Sequence, residues 1–311
     1  MLAFIFPGQG SQYVGMGQDL YERSQVAKAL LDEMAAAVDF PLPQLMFEGP
    51  AEELTKTQNA QPALLAHCVM VNALLRQEGV KPDVVAGHSL GEYSAVTAAD
   101  CLPATEAIRL VRLRGELMAQ AGEQVGGTMA AVIGLETEAV RRAAQAAGEV
   151  GTIVVANLNA PGQVVISGEE KAVTAAAALM KEAGAKRVLP LNVSGAFHSP
   201  LMLPASEKLG EALAQTEFAD AAVHVISNVD AVDRMDAASI KAALLRQLTG
   251  SVLWEDCVNR MVQTGVTTFV EVGPGKVLSG LVGRIAVDVT CYRTDTFEGI
   301  EETVAAIKAG A

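Results

Sequence analysis

Histidine is scarce in this chain of 311 residues, which has four of them beside one tryptophan and four cysteines. Few histidines mean few candidates for a general base at neutral pH, because no other side chain has an unperturbed pKa in that range. Cys68, Cys101, Cys257 and Cys291 stand singly among apolar neighbours with no C-x-x-C spacing. They read as reduced core residues; neither a zinc site nor a disulfide framework is encoded, and no metal or resident cofactor is expected. Basic residues are outnumbered as well. Lys and Arg total 23 against 36 Asp and Glu, a net charge of −13, and no basic cluster offsets it. Nucleic acid and anionic membrane surfaces are therefore excluded as main partners. No apolar run reaches the roughly 18 residues of a membrane span. MLAFIFPGQG carries no basic leader, so the expected location is the cytoplasm. No repeat or low-complexity linker interrupts the chain.

What the chain does have is core material: half its residues are hydrophobic and 19% are charged, enough for one large or two linked domains. Between the apolar run Asp83 to Ala86 and a helix-like stretch from Glu92 to Ala99 stands Gly87-His88-Ser89-Leu90-Gly91. This is the G-x-S-x-G pattern of a nucleophile elbow, in which a serine sits on a tight strand-to-helix turn and the following amide faces a developing oxyanion. Ser89 followed by Glu92 is also a capping box, so a helix cap competes with a nucleophile. The short strand Ala3 to Phe6 ends at Pro7-Gly8-Gln9-Gly10-Ser11-Gln12, whose glycines let backbone amides approach a ligand. Tyr13 stands where G-x-G-x-x-G needs its third glycine and no G-x-x-x-x-G-K occurs, which argues against a nucleotide site.

A helix over about Ala104 to Ala121 carries an apolar stripe through Ala107, Leu110, Val111, Leu117, Met118 and Ala121, and Arg114 falls inside that stripe. A guanidinium on a buried face needs an anion, either an internal salt bridge or a ligand's carboxylate. From about Gly127 short strands alternate with alanine-rich helices: Met129 to Leu135, Glu138 to Ala147, Thr152 to Asn157, Gln163 to Ser167, Lys171 to Ala183 and Lys186 to Leu191. That order is βαββαβ, a ferredoxin-like unit whose middle strands are joined at the turn Asn159 to Gly162. It reads as a subdomain, 127–193, inserted in a catalytic core made of 1–126 and 194–311. The remaining elements, among them a helix from about Leu201 to Ala214 and a last strand from Val287 to Tyr292, again alternate strand with helix, which implies a mostly parallel sheet covered on both faces. Among the histidines, His67 reads as a packed or partly exposed helix residue and His224 as a packed strand residue, and His88 adjoins the serine on a turn where neighbours diverge. His198, in a loop before Pro200, is the favoured base.

These stretches resemble a known family, the malonyl-CoA:acyl carrier protein transacylases and the acyltransferase domains of fatty acid and polyketide synthases. FPGQGSQ, TQNAQPAL from Thr57 to Leu64, GHSLGEYSA, VRLRGELM, ANLNAPGQVVISG, GAFHSPLM, RQL followed by Trp254, and EVGPGKVLSGL occur in the family's order and spacing. The resemblance implies an α/β fold: an α/β-hydrolase-like core with a mostly parallel sheet and the ferredoxin-like subdomain, the active site lying between them. It implies Ser89 as nucleophile, His198 as its base, and the amides of Gln9 and Leu90 as the oxyanion hole. Arg114 would bind the malonyl carboxylate, and the backbone carbonyl of Gln247 would orient His198 in a dyad without an aspartate. Phe197 matches the AFH pattern of malonyl-selective members. Asn159 matches a position near the active site, although a turn role suits it equally; His88 and Gln163 match family residues without a derivable role. The substrates implied are malonyl-CoA and holo-acyl carrier protein, handled by a monomer. Because carrier proteins are acidic, Lys181, Lys186, Arg187, Lys276 and Arg284 are candidates for a local basic patch. Three other readings stay open: a trans-acting polyketide acyltransferase, a serine esterase or thioesterase, and a non-catalytic carrier-binding module.

Overall fold

Leu2–Phe6 (β1) and Val84–Gly87 (β2) are apolar runs too short for helices, and all but one of their residues are buried. They pair in parallel with Phe6 opposite Gly87, so the loops that follow them leave the sheet side by side. The computed structural model describes residues 1–310, and eight further strands complete two sheets. In chain order they are β3 (Thr128–Ile133), β4 (Ile153–Ala160), β5 (Gln163–Gly168), β6 (Arg187–Pro190), β7 (His224–Ile226), β8 (Asp233–Arg234), β9 (Thr268–Glu271) and β10 (Thr290–Arg293). The larger sheet has the order β10-β9-β1-β2-β7-β8. Every pair in it is parallel except β7 with β8.

Side chains alternate across β1 and send its residues to two different cores. Phe4 and Phe6 join the helix Thr57–Gln77 on one face, through Leu64, Leu65, Cys68 and Leu75. Ala3 and Ile5 join Trp254, Val258 and Met261 of the helix Trp254–Gln263 and Leu278 and Val282 of the helix Val277–Ile285 on the other. Both faces are thus covered, as an apolar parallel sheet requires. Among the described residues no helix is long and apolar enough to cross a membrane.

The smaller sheet is antiparallel with the order β4-β5-β3-β6. The helices Thr137–Ala147 and Glu170–Glu182 bury Val140, Val173 and Met180 against its outer face, beside Ala130 and Val132 of β3. Met129 and Val165 point the opposite way, into the main core and the cleft. Leu158 donates to the carbonyl of Val252 at 2.9 Å and the Val252 amide to Ala156 at 2.8 Å, tying β4 to the larger body.

Three local readings need correction. The helix expected from Leu201 begins as a 3₁₀ turn, Pro200–Met202, with the Ser199 hydroxyl accepting from Leu201, and becomes α-helical at Leu203. The last strand starts at Thr290 rather than Val287, whose side chain stands in solvent at 84% exposure and has no sheet to enter. His224 is exposed rather than packed: it opens β7 and pairs with Asp233 of the edge strand β8 at 2.8 Å.

Candidate active site

The chain leaves β2 at Gly87, turns at His88 and Ser89, and enters the helix Gly91–Ala98. Space enforces the glycines of that turn. A Cβ at Gly87 would come within 1.8 Å of the Gly91 carbonyl, and one at Gly91 within 2.1 Å of the Phe6 carbonyl. Ser89 itself takes φ of 53°, in the left-handed region that non-glycine residues rarely enter. That strain aims its hydroxyl into the cleft.

The capping-box reading fails on this geometry. Leu90 is the helix N-cap and no side chain caps it. The Ser89 amide donates instead to Asn228 Oδ1 at 2.7 Å, and its Oγ lies 2.7 Å from His198 Nε2. His198 Nδ1 lies 2.9 Å from the Gln247 carbonyl. A carbonyl only accepts, so Nδ1 carries the ring proton and Nε2 is the acceptor for the Ser89 hydroxyl. Burial, and secondarily the charge of Arg114, push the His198 pKa down to about 3, which keeps the ring neutral near pH 7.

Beside this pair are two amides. The N–H groups of Gln9, after β1, and of Leu90 find no acceptor among the described residues. The side chain of Gln9 is held by Thr57, Nε2 to Oγ1 at 3.1 Å.

Arg114 comes from the middle of the helix Ala104–Val125 and is 1% exposed. Its Nη1 donates to Gln61 Oε1 at 2.6 Å, and its Nη2 to Gln247 Oε1 at 2.9 Å and to Ser89 Oγ at 3.2 Å. The guanidinium lies 5.5 Å from the centre of the Tyr93 ring, and its Nε has no partner. Every oxygen it touches is neutral, and the internal salt bridge weighed from the sequence is absent among the described residues. Burial pulls its pKa below the ordinary arginine value. A desolvated cation with only neutral partners is a receptor for an anion.

A cavity of about 330 Å³ opens over these groups, lined by Gln9, Ser89, Arg114 and Phe197 from the larger body and by Met129, Asn159, Gln163 and Val165 from the smaller sheet. Phe197 is buried in the wall next to His198. Asn159 belongs to β4 rather than to the turn, and its Oδ1 accepts from His88 Nε2 at 2.8 Å. The His88 ring meets the edge of Trp254 at 5.7 Å, and burial lowers its pKa, so it too is a neutral residue. Gln163 accepts from Arg284 at 2.9 Å, and Arg284 also donates to the Pro161 carbonyl at 3.0 Å. Arg284 therefore braces the β4–β5 hairpin, whereas Lys181, Lys186, Arg187 and Lys276 stand exposed.

Sequence reasoning missed Glu92, Asn228 and Gln61 as parts of this network. The Glu92 carboxyl, 1% exposed, accepts from the Gln247 side chain at 2.8 Å and the Asn228 amide at 3.2 Å, and burial pushes its pKa up to about 7. Its signal was available: it is the one charge in GEYSAVTA, a helix of otherwise uncharged residues that are all buried except Thr97. Asn228 sits in a loop with no distinguishing pattern.

Three comparisons place this geometry among known proteins. The family model described as acyl transferase domain matches residues 3–285. The malonyl CoA-acyl carrier protein transacylase of Bacillus subtilis is 48% identical over 308 residues, covering 99% of this chain and 97% of that protein. That of Escherichia coli K12 is 45% identical over 289 residues, covering 93% and 94%. The crystal structure of an acyl carrier protein S-malonyltransferase from Vibrio cholerae superposes with a TM-score of 0.94 at 44% identity, over 97% of this chain and 99% of that one. A malonyl-transacylase solved in complex with a type II polyketide synthase acyl-carrier protein gives 0.95 at 40% identity, over 98% and 99%. The chain belongs to the acyl transferase domain family, among its malonyl CoA-acyl carrier protein transacylases.

Proposed function

We propose that this protein moves a malonyl group from malonyl-CoA to the phosphopantetheine thiol of an acyl carrier protein through a malonyl ester on Ser89. The observation that carries the reading is the position of Arg114: a buried cation without a carboxylate, 3.2 Å from the hydroxyl that His198 activates. Malonyl has the thioester carbonyl and the free carboxylate that these two groups need, one at each end of a three-carbon unit.

In the first half-reaction His198 Nε2 accepts the Ser89 proton as Oγ attacks the thioester carbonyl. The oxyanion faces the Gln9 and Leu90 amides, each worth about 2.7 to 4 kcal/mol of barrier. Collapse of the tetrahedral adduct breaks the C–S bond, and the imidazolium returns its proton to the leaving thiolate. In the second half-reaction His198 takes the proton of the carrier's thiol, the sulfur attacks the ester, and Ser89 leaves as alkoxide and is reprotonated. Gln247 holds the ring in the required tautomer throughout. Binding of the malonyl carboxylate also neutralises Arg114, after burial the largest cause of the low His198 pKa, so the substrate strengthens the base that acts on it. A charge-assisted pair of this kind contributes about 1.5 to 3 kcal/mol, which favours malonyl over acetyl by one to two orders of magnitude.

In the same reading, 127–193 acts as a subdomain forming one wall of the cleft, and 1–126 with 194–311 supplies the chemistry. Phe197 narrows the acyl pocket. The exposed Lys181, Lys186 and Arg187 of the subdomain offer the acidic carrier a positive approach.

Intact-mass detection of a malonyl adduct tests the reading. The adduct is expected on wild type exposed to malonyl-CoA, is expected to be absent from Ser89→Ala, and is expected to discharge onto holo-carrier proteins. Presenting carriers of fatty acid and polyketide systems side by side separates those two readings. An adduct lost to water equally fast with and without carrier would make the protein an esterase, and no adduct at all would overturn the reading.

A further inference from the structure

Gln247 is a branch point. Its main-chain carbonyl holds His198, its Nε2 donates to the Ser89 carbonyl and to Glu92 Oε2, both at 2.8 Å, and its Oε1 accepts from Arg114 at 2.9 Å. A glutamine amide can be turned end for end, and here its partners decide which way it faces. The Ser89 carbonyl accepts only, and Glu92 Oε2 already accepts the Asn228 N–H, so any proton on that carboxyl sits on Oε1 and Oε2 remains an acceptor; the NH₂ must therefore face these two and the oxygen must face the guanidinium. The reverse orientation would set NH₂ against the guanidinium's own N–H groups and oxygen against a carboxylate. Glu92 is fixed in turn by the Asn228 amide at 3.2 Å, and Asn228 grips the elbow from both sides, accepting from Ser89 N at 2.7 Å and donating to the Gly87 carbonyl at 2.6 Å.

We propose that Glu92 is a positioning residue for acyl selection: by setting the Gln247 amide it aims Arg114 at the substrate carboxylate. The carboxylate lies one amide away from the guanidinium and does not touch it. Direct contact would occupy the donors that the substrate needs, whereas the Gln247 spacer fixes the guanidinium and leaves it unneutralised. The proposal rests on the malonyl-transfer reading.

The readout is the ratio of kcat/KM for malonyl-CoA to that for acetyl-CoA, which a general loosening of the elbow would leave unchanged because both thioesters use Ser89 and His198 alike. Glu92→Ala is expected to lower the ratio by roughly five-fold or more, the equivalent of one hydrogen bond. Glu92→Gln is expected to return it towards wild type: its amide oxygen can accept from Gln247 and Asn228, and its NH₂ can turn to the buried Ser227 hydroxyl, which has no partner. Gln247→Met cuts the same link from the other side and keeps the main-chain carbonyl on His198, so it decides the matter if Glu92→Ala does not fold. It is expected to lower the ratio similarly, and the double variant to lower it no further than the larger single effect. An unchanged ratio in Glu92→Ala or Gln247→Met, additive effects in the pair, or no recovery in Glu92→Gln would overturn the proposal. Failure of the underlying reading looks different: wild type itself would form no malonyl adduct.

Discussion

The two sheets meet at one cleft and bring different things to it. From the larger, mostly parallel sheet and the body around it come the groups with chemistry: Gln9 after β1, His88 and Ser89 after β2 and Asn228 after β7 stand at strand ends, while Arg114 reaches in from the helix Ala104–Val125 and His198 from the loop before Pro200. Parallel pairing puts these ends at one edge, so loops far apart in sequence converge there. The antiparallel sheet contributes Met129, Asn157, Asn159, Gln163 and Val165, none of them ionisable. One region holds strained backbone and buried charge at close quarters; the other is wall. A site built this way separates reaction from selection, and the separation can be attacked at either side.

The largest effects belong to the parallel side. Ser89→Ala or His198→Ala is expected to cut the rate of enzyme acylation by roughly three orders of magnitude or more, measured by rapid-quench release of CoA. Comparable losses from a wall substitution would erase the distinction between the sheets.

Much of that side was legible in the sequence, for local reasons. Gly87 is demanded by a contact within the turn itself, the G-x-S-x-G pattern carries Gly91 with it although the crowding there comes from the Phe6 carbonyl of β1, and the position of Arg114 on an apolar stripe follows from helical period alone. The βαββαβ order was readable from alternating strand and helix patterns, with ends shifted by at most three residues. What stayed hidden depends on distant partners. Glu92 meets Gln247 across 155 positions, and Arg114 meets Gln61 across 53. No spacing rule reaches that far. The same blindness produced the capping-box reading, because Ser89 and Glu92 at the right separation look like a cap until His198 and Asn228 claim them. His224 misled differently, as an apolar run carries no mark of its first residue standing exposed at the start of a strand.

Next in size is a stability effect that sharpens the contrast, since buried charge is confined to the chemical side. Burial raises the Glu92 pKa from the ordinary 4.5 of a free carboxyl to about 7, so the folded protein resists ionisation that the unfolded chain undergoes freely. Stability is then fully present below the unfolded value and declines as pH rises towards 7. Glu92→Gln is expected to stabilise the fold at pH 8 by on the order of 2 to 4 kcal/mol in urea melts, and hardly at all at pH 4. Equal effects at both pH values would show that the carboxylate carries no such cost.

Smaller still are the wall effects. Asn159→Ala removes the acceptor for His88 and is expected to lower kcat/KM by roughly five-fold for malonyl-CoA and acetyl-CoA alike, because it touches neither Arg114 nor the nucleophile. A change in their ratio would give the antiparallel sheet a share in acyl selection. Smallest of all, reversing Lys181 and Arg187 to glutamate is expected to raise KM for carrier protein by a few-fold and leave acylation by malonyl-CoA unchanged. A matching loss in both half-reactions would remove the patch from carrier docking.

The central claim is that Arg114 reads the carboxylate and Ser89 with His198 performs the transfer. Single-turnover acylation of Arg114→Ala by malonyl-CoA and by acetyl-CoA tests it most directly. Malonyl acylation is expected to fall by about ten- to a hundred-fold. Acetyl acylation is expected to hold or rise, since loss of the cation removes one cause of the depressed His198 pKa and leaves a stronger base. An equal fall for both thioesters would contradict the account.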